Sequence, residues 1–238
     1  MTVYVFDMDG TLTPARLPMT ESCAERFYCW QKTHLSFIAT GSDYAKVKEQ
    51  LPEKVINAFT GIYCSMGNVL KAQGKDIYKK DAPPLPALIQ ELEKYRNRTK
   101  YPGRRFPNYI ERRIGMINFS VLGRDCPYSE REKYADWDKE HAERLKIKSE
   151  LQEKFPDLEI SVGGSISIDI VPAGGGKGQI AMHLRQRYPF EKILFFGDRT
   201  FEGGNDFELA RALLKFENTQ VVQVNGPEDV LHFLKENP

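Results

Sequence analysis

Short apolar runs recur along the chain, and each ends in small or polar residues. Val3–Phe6, Leu35–Ala39 and Lys192–Phe196 are rich in β-branched and aromatic residues and are bounded by turn formers, so they predict buried strands. Helical stretches separate them. Thr20 or Ser22 can cap a helix to about Gln31, and Tyr44–Leu51 forms a second. Lys177 opens a third to about Arg187, a fourth ends near Leu214, and Pro227 begins the last one after a strand at Gln220–Val224. Val55–Cys64 and Val69–Ala72 predict short strands, with a turn at Gln73-Gly74-Lys75. This alternation predicts an α/β core built on a parallel sheet.

The middle of the chain has a different rhythm. An amphipathic helix at Leu85–Tyr95 precedes strands at Asn108–Arg113 and Met116–Ser120. One long helix then runs from Ser129 to about Lys154, with Ser129 and Glu132 spaced as a capping box. Strands at Leu158–Val162 and Ser165–Val171 follow, parted by Gly163-Gly164. Such a block reads as a small α+β domain. Asp81-Ala82-Pro83-Pro84 and Pro172-Ala173-Gly174-Gly175-Gly176 mark its ends as hinges. The expected organisation is a core from 1–82 and 173–238, with residues 83–172 inserted as a cap.

Composition removes several classes of function. Of the 238 residues, 34 are Lys or Arg and 33 Asp or Glu, so no global charge draws the chain to nucleic acid or to a membrane surface. No apolar stretch approaches membrane-spanning length, and no charged-then-apolar leader precedes the first strand. Cys23, Cys29, Cys64 and Cys126 form no Cys-x-x-Cys pair, so neither a zinc site nor a redox motif is indicated. Reduced thiols in a cytoplasmic enzyme are the expectation.

The chemistry gathers at the strand ends. The first strand delivers Asp7-Met8-Asp9-Gly10-Thr11, two carboxylates beside a glycine turn. A carboxylate there can attack phosphorus and carry it as an aspartyl-phosphate. Clustered carboxylate oxygens also suit Mg²⁺. The second strand delivers Thr40-Gly41-Ser42, hydroxyls and main-chain N–H groups at a helix start, where Ser42 serves as a cap, a phosphate donor or both. The third delivers Gly197-Asp198 and a loop to Asn205-Asp206. In a parallel sheet these ends converge, and Lys177 can reach them from its helix start. Arg16, close to Asp7, reads equally as a phosphate ligand or a solvated loop arginine. With no Gly-x-x-x-x-Gly-Lys loop, a nucleoside-triphosphate site is not expected.

In this order the motifs resemble those of the haloacid-dehalogenase-like superfamily, which implies a Rossmannoid core. Along nearly its whole length the chain resembles the eukaryotic phosphomannomutases. The similarity runs through Asp7–Arg16, Thr40–Asp43 to Leu51, Ile110–Asn118, Leu122-Gly123-Arg124, Ser129-Glu130-Arg131, Gly163–Asp169 and Phe195–Asp206. The resemblance implies Asp7 as nucleophile, Asp9 as acid and base, and Thr40, Ser42 and Lys177 as stabilisers of the transferring phosphoryl group. It implies Mg²⁺ held by Asp7, Asp9 through its carbonyl, and Asp198, with Asn205 and Asp206 in support. Arg113, Arg124 and Arg131 would bind the phosphate far from the nucleophile. Ser167 and Asp169 would bind sugar hydroxyls or phosphate, and Arg16 would also touch substrate. The implied substrate is a hexose phosphate, with a hexose 1,6-bisphosphate as activator and a homodimer formed through the caps. A sugar-phosphate phosphatase using water as acceptor is the alternative on the same scaffold. The chain departs from that family at Met66-Gly67-Asn68, at Ala173–Gly176 and over Phe207–Leu213.

Overall fold

The structure is a computed structural model that describes residues 1–82 and 85–237. Pro83 and Pro84, within the first expected hinge, lie outside the described residues. The chain divides into two compact units, one of Met1–Lys80 with Gly176–Pro238 and one of Asp81–Gly175.

The first unit begins β1 (Thr2–Phe6), α1 (Glu21–Gln31), β2 (Leu35–Ala39), α2 (Tyr44–Gln50), α3 (Glu53–Ala58), β3 (Gly61–Cys64), β4 (Val69–Ala72) and β5 (Lys75–Lys79). The second unit contributes α4 (Pro86–Arg98), β6 (Ile110–Arg113), β7 (Met116–Phe119), α5 (Tyr128–His141), α6 (Glu143–Lys154), β8 (Leu158–Gly163) and β9 (Ser167–Pro172). The first unit then closes with α7 (Gln179–Arg187), β10 (Lys192–Gly197), α8 (Phe207–Leu213), β11 (Thr219–Gln223) and α9 (Pro227–Glu236).

The first unit is a three-layer α/β/α fold. Its sheet runs β11-β10-β1-β2-β3-β4-β5, parallel from β11 through β3 and antiparallel beyond. Both faces of the central strands are covered, which is why those strands are apolar throughout rather than alternating. Val3, Val5, Ile193 and Phe195 pack with Ile180 and Leu184 of α7 and Leu209 and Leu213 of α8. On the opposite face Phe6 stacks on Phe196 at 4.9 Å and meets Phe27 of α1 edge-on at 5.3 Å. The chain leaves β1 toward β2 and β3 on one side and later reaches β10 and β11 on the other. β1 is thus the strand at which the order reverses, and ligands bind outside the carboxyl ends at such a point.

In the second unit the sheet runs β6-β7-β9-β8, all antiparallel. Pleating sorts its residues by face. Ile117, Phe119, Ile160, Ile168 and Ile170 join a core with Leu88, Leu92 and Tyr95 of α4, Tyr134 of α5 and Ile147 and Leu151 of α6. Register sets Glu111 opposite Asn118, Asn118 opposite Asp169 and Asp169 opposite Ser161, a polar row on the other face.

Several features differ from the sequence expectation, among them the edge strand β5, where the sequence predicts only a turn at Gln73-Gly74-Lys75. Val55–Ala58 belongs to α3, where Val55 and Ile56 are buried and Pro52 occupies the N-cap position. A short apolar stretch does not by itself separate a buried strand from one helical turn. The long helix expected from Ser129 to Lys154 is two helices, because Ala142 is left-handed at φ 53°. Asp138 stabilises that break by accepting the main-chain N–H of Arg144 at 2.9 Å and its Nε at 2.7 Å. The Ser129 capping box does not form either, since Pro127 is the N-cap and supplies no side-chain bond.

Candidate active site

The ladder of β1 carries Asp7 to the sheet edge, with its main-chain N–H donating to the Phe196 carbonyl at 2.8 Å. Its carboxylate is buried and divided in use. Oδ1 accepts from Lys177 Nζ at 2.5 Å, whereas Oδ2 is buried with no hydrogen-bond partner. The same ammonium donates to Asp206 Oδ1 at 2.6 Å, and Asp206 Oδ2 accepts from the Arg199 main-chain N–H at 3.3 Å. Lys177 is therefore a fully buried cation strung between two carboxylates. Burial works against its charge, but Asp206 and Asp7 outweigh that and hold its pKa above the ordinary lysine value.

Asp198, just beyond β10, completes an acidic triad. One carboxylate oxygen from each of Asp7, Asp198 and Asp206 lies within 4.8 Å of the others. A Cβ added at Gly10, whose φ is +90°, would come within 2.5 Å of Asp198 Oδ2, so only glycine permits this approach of the two strand ends. Burial first, and then the charge of Asp206, push the Asp198 carboxyl up to about 6. Burial and Asp206 likewise push Asp7 well above the usual carboxylate range, although Lys177 opposes them. Three carboxylates thus face one buried ammonium, with the Arg199 guanidinium also acting on Asp198. Asp7 Oδ2, Asp198 Oδ1 and Asn205 Oδ1 are all buried oxygens with no hydrogen-bond partner. That all-oxygen set, short of positive charge, fits a hard divalent cation, and Mg²⁺ is one such ion.

Asp9 is built for another task. Its Oδ1 accepts from the Arg16 main-chain N–H at 2.9 Å and from Gln50 Nε2 at 3.2 Å. Its Oδ2 accepts from Ser42 Oγ at 3.3 Å. Arg16 thus meets Asp9 through its backbone, bent to φ 67°. Ser42 is not the helix cap, because Asp43 accepts from Lys46 N–H at 2.9 Å. Thr40 uses its hydroxyl to accept from the Ser42 N–H at 3.0 Å, shaping the turn after β2. Gln50, which lies in a family-matching stretch but had no assigned role, also takes Thr13 Oγ1 on its Oε1 at 2.8 Å. The available signal was its place: Val47 and Leu51, four residues apart, put Gln50 beside a buried helical stripe.

In the second unit the expected residues also gather. Arg124 donates from Nη1 to Ser167 Oγ at 2.5 Å, and its Nε lies 3.0 Å from Glu111 Oε2. Arg113 donates to both oxygens of the same glutamate. Arg131 donates to the Arg124 carbonyl at 2.6 Å, and Asn118 Nδ2 donates to Asp169 Oδ1. A Cβ at Gly123 would come within 2.1 Å of the Phe106 carbonyl oxygen, so glycine at φ +94° lets the loop fold in before Arg124. Arg144, buried against Asp138, also donates to the carbonyls of Gly163, Gly164 and Ser167. It thereby fixes the turn that presents Ser167. Glu111, Asn118 and Arg144 had no assigned role from sequence.

Among the described residues, no helix is long and apolar enough to cross a membrane. The family model of eukaryotic phosphomannomutases matches residues 27–237. The phosphomannomutase of Drosophila melanogaster is 36% identical over 217 residues, covering 87% of this chain and 85% of that protein. The one from Dendrobium officinale is 35% identical over 245 residues, covering 98% and 94%. A haloacid dehalogenase-like hydrolase from Bacteroides thetaiotaomicron superposes with a TM-score of 0.63 at 14% identity, covering 100% of this chain and 99% of that one. At that identity the likeness speaks for the fold.

Proposed function

The chain belongs to the eukaryotic phosphomannomutase family, and from that membership we propose that it interconverts mannose 6-phosphate and mannose 1-phosphate with Mg²⁺. The observation that carries the reading is the divided carboxylate of Asp7. Lys177 engages Oδ1 and leaves the buried Oδ2 without a hydrogen-bond partner, open to phosphorus or to the cation.

Phosphorylated Asp7 gives its phosphoryl group to O1 of mannose 6-phosphate, while Asp9 takes the proton from that hydroxyl. The resulting 1,6-bisphosphate turns end for end. Asp7 then attacks the phosphorus at C6, and Asp9 returns the proton to O6, releasing mannose 1-phosphate. The contacts from Arg16, Gln50 and Ser42 hold Asp9 in position for both transfers. Asp7, Asp198 and the Asp9 carbonyl would hold Mg²⁺, with Asn205 and Asp206 behind them. Bound there, the ion supplies charge to offset the oxygens of the transferring group. Lys177 opposes the burial and the Asp206 charge that raise the Asp7 carboxyl and adds its own positive charge, with Thr40 shaping the adjoining turn. Arg113, Arg124 and Arg131 make the second unit suited to the other phosphate, with Ser167 and Asp169 beside them.

Phosphorus NMR of mannose 1-phosphate with the protein, Mg²⁺ and a trace of mannose 1,6-bisphosphate tests this. The expected result is growth of the mannose 6-phosphate signal, absent with Asp7→Asn. Release of inorganic phosphate alone would replace the mutase reading with a sugar-phosphate phosphatase.

A further inference from the structure

Ile110-Glu111-Arg112-Arg113 supplies an arginine to the far-phosphate cluster and also a glutamate with no assigned part. In the structure that glutamate stands where an anion is expected. Arg113 donates from Nε to Oε1 at 3.2 Å and from Nη2 to Oε2 at 3.1 Å, and Arg124 Nε is 3.0 Å from the same Oε2. The two arginine side chains are 4% and 7% exposed, and the glutamate side chain 23%. One guanidinium fork and the Nε of a second guanidinium converge on one oxyanion, the kind of contact by which arginines grip phosphate. Glu111 is chemically a stand-in for one.

We propose that Glu111 is a built-in counter-anion that competes with the far phosphate for Arg113 and Arg124 and so sets how tightly it is held. This rests on the mutase reading. Two buried guanidinium groups side by side repel each other, and the carboxylate keeps them paired when no substrate is bound. An arriving phosphate gains only the difference between its own contacts and those Glu111 already makes. A mutase has a use for that discount. The bisphosphate must come off and turn end for end in every cycle, and two uncompensated arginines would hold it too long. Glu111 is thus a positioning residue that lowers affinity and keeps release fast.

Glu111→Gln removes the charge and keeps the shape, while Glu111→Ala removes the side chain and avoids an amide facing the arginines. Calorimetric titration of the full chain with mannose 1,6-bisphosphate and Mg²⁺ should show both variants binding roughly tenfold tighter. KM and kcat for mannose 1-phosphate should fall together, which a merely structural role would not produce. Unchanged or weaker bisphosphate binding, in whichever variant melts at the wild-type temperature, overturns the proposal. So does weaker binding in both if both melt early, because Glu111 then supports the pocket rather than competing within it. A wild-type protein that only hydrolyses mannose 1-phosphate would remove the mutase reading, and the titration would still decide whether Glu111 competes.

Discussion

Two aspartates two residues apart, Asp7 and Asp9, sit in opposite electrostatic settings. Asp7 has one ammonium, two neighbouring carboxylates and a bare oxygen, whereas Asp9 is held by three donors from three chain segments. Asp9→Asn keeps the size and the main-chain carbonyl, so Mg²⁺ binding should persist, while turnover should fall roughly 10²–10⁴-fold. A near-wild-type rate in the NMR assay would move the proton-transfer role elsewhere. Asp198 adds a pH dependence. Its carboxyl, raised to about 6, holds a proton below that pH that a cation must displace. The rise in melting temperature produced by Mg²⁺ should therefore be full near neutral pH and shrink as pH drops through about 6. Without added metal the sign reverses. A folded-state pKa above the unfolded one means the native state loses stability as pH rises from the ordinary carboxylate range toward 6. A Mg²⁺ effect that is flat from pH 5 to 8 would argue against Asp198 as a ligand. Asp7 and Asp198 were legible because each directly follows an apolar strand, and Asp9 because it lies two residues beyond Asp7. Gln50 and Glu111 were not, because their meaning lies in partners remote in sequence or in another strand.

Elements were legible where burial was complete. β1, β2 and β10 are covered on both faces, so their apolar runs stand out. β5 is the counter-example: at the sheet edge Lys75-Asp76-Ile77-Tyr78-Lys79 is mostly exposed and carries ion pairs from Asp76 to Lys71 and Lys79 at 2.6 and 2.7 Å. Charge of that kind protects an edge from pairing and erases the strand signature. The break between α5 and α6 was hidden for a related reason. Ala142 is a good helix former, and a tertiary pair, Asp138 with Arg144, overrides it. Holding alanine in the left-handed region has a conformational cost, so Ala142→Gly should raise stability by roughly 0.5–1 kcal/mol. Urea unfolding followed by circular dichroism would show it as a higher midpoint. A lower midpoint would mean that the break is set by the ion pair alone and that alanine's helix preference still contributes on either side.

At the scale of the whole molecule, the two units carry different chemistry. The first holds the divided carboxylate of Asp7, the triply held carboxylate of Asp9 and an acidic cluster suited to a cation. The second holds a row of polar side chains and a group of arginines. The alternation of strand and helix, interrupted by a block with its own rhythm, made that division legible before any contact was known. What it did not show is that Arg124 is also a structural hub, bonded to Ser167 and Glu111 and receiving Arg131 on its carbonyl. A mutase requires the far phosphate to be held in every cycle, while hydrolysis of a small aryl phosphate draws on the first unit alone. A charge-assisted arginine–phosphate contact contributes about 1.5–3 kcal/mol, which is roughly ten- to a hundredfold. Arg124→Ala should therefore depress mannose 1-phosphate turnover by at least that factor and leave aryl phosphate hydrolysis with Mg²⁺ close to wild type. Arg124→Lys keeps the charge but loses the fork that reaches both Ser167 and Glu111, so it should recover only part of the loss. If both activities fall together with the melting temperature, the arginine's main task is to hold its unit together. If neither falls, the far phosphate is held by other residues, and the division of labour between the units would have to be redrawn.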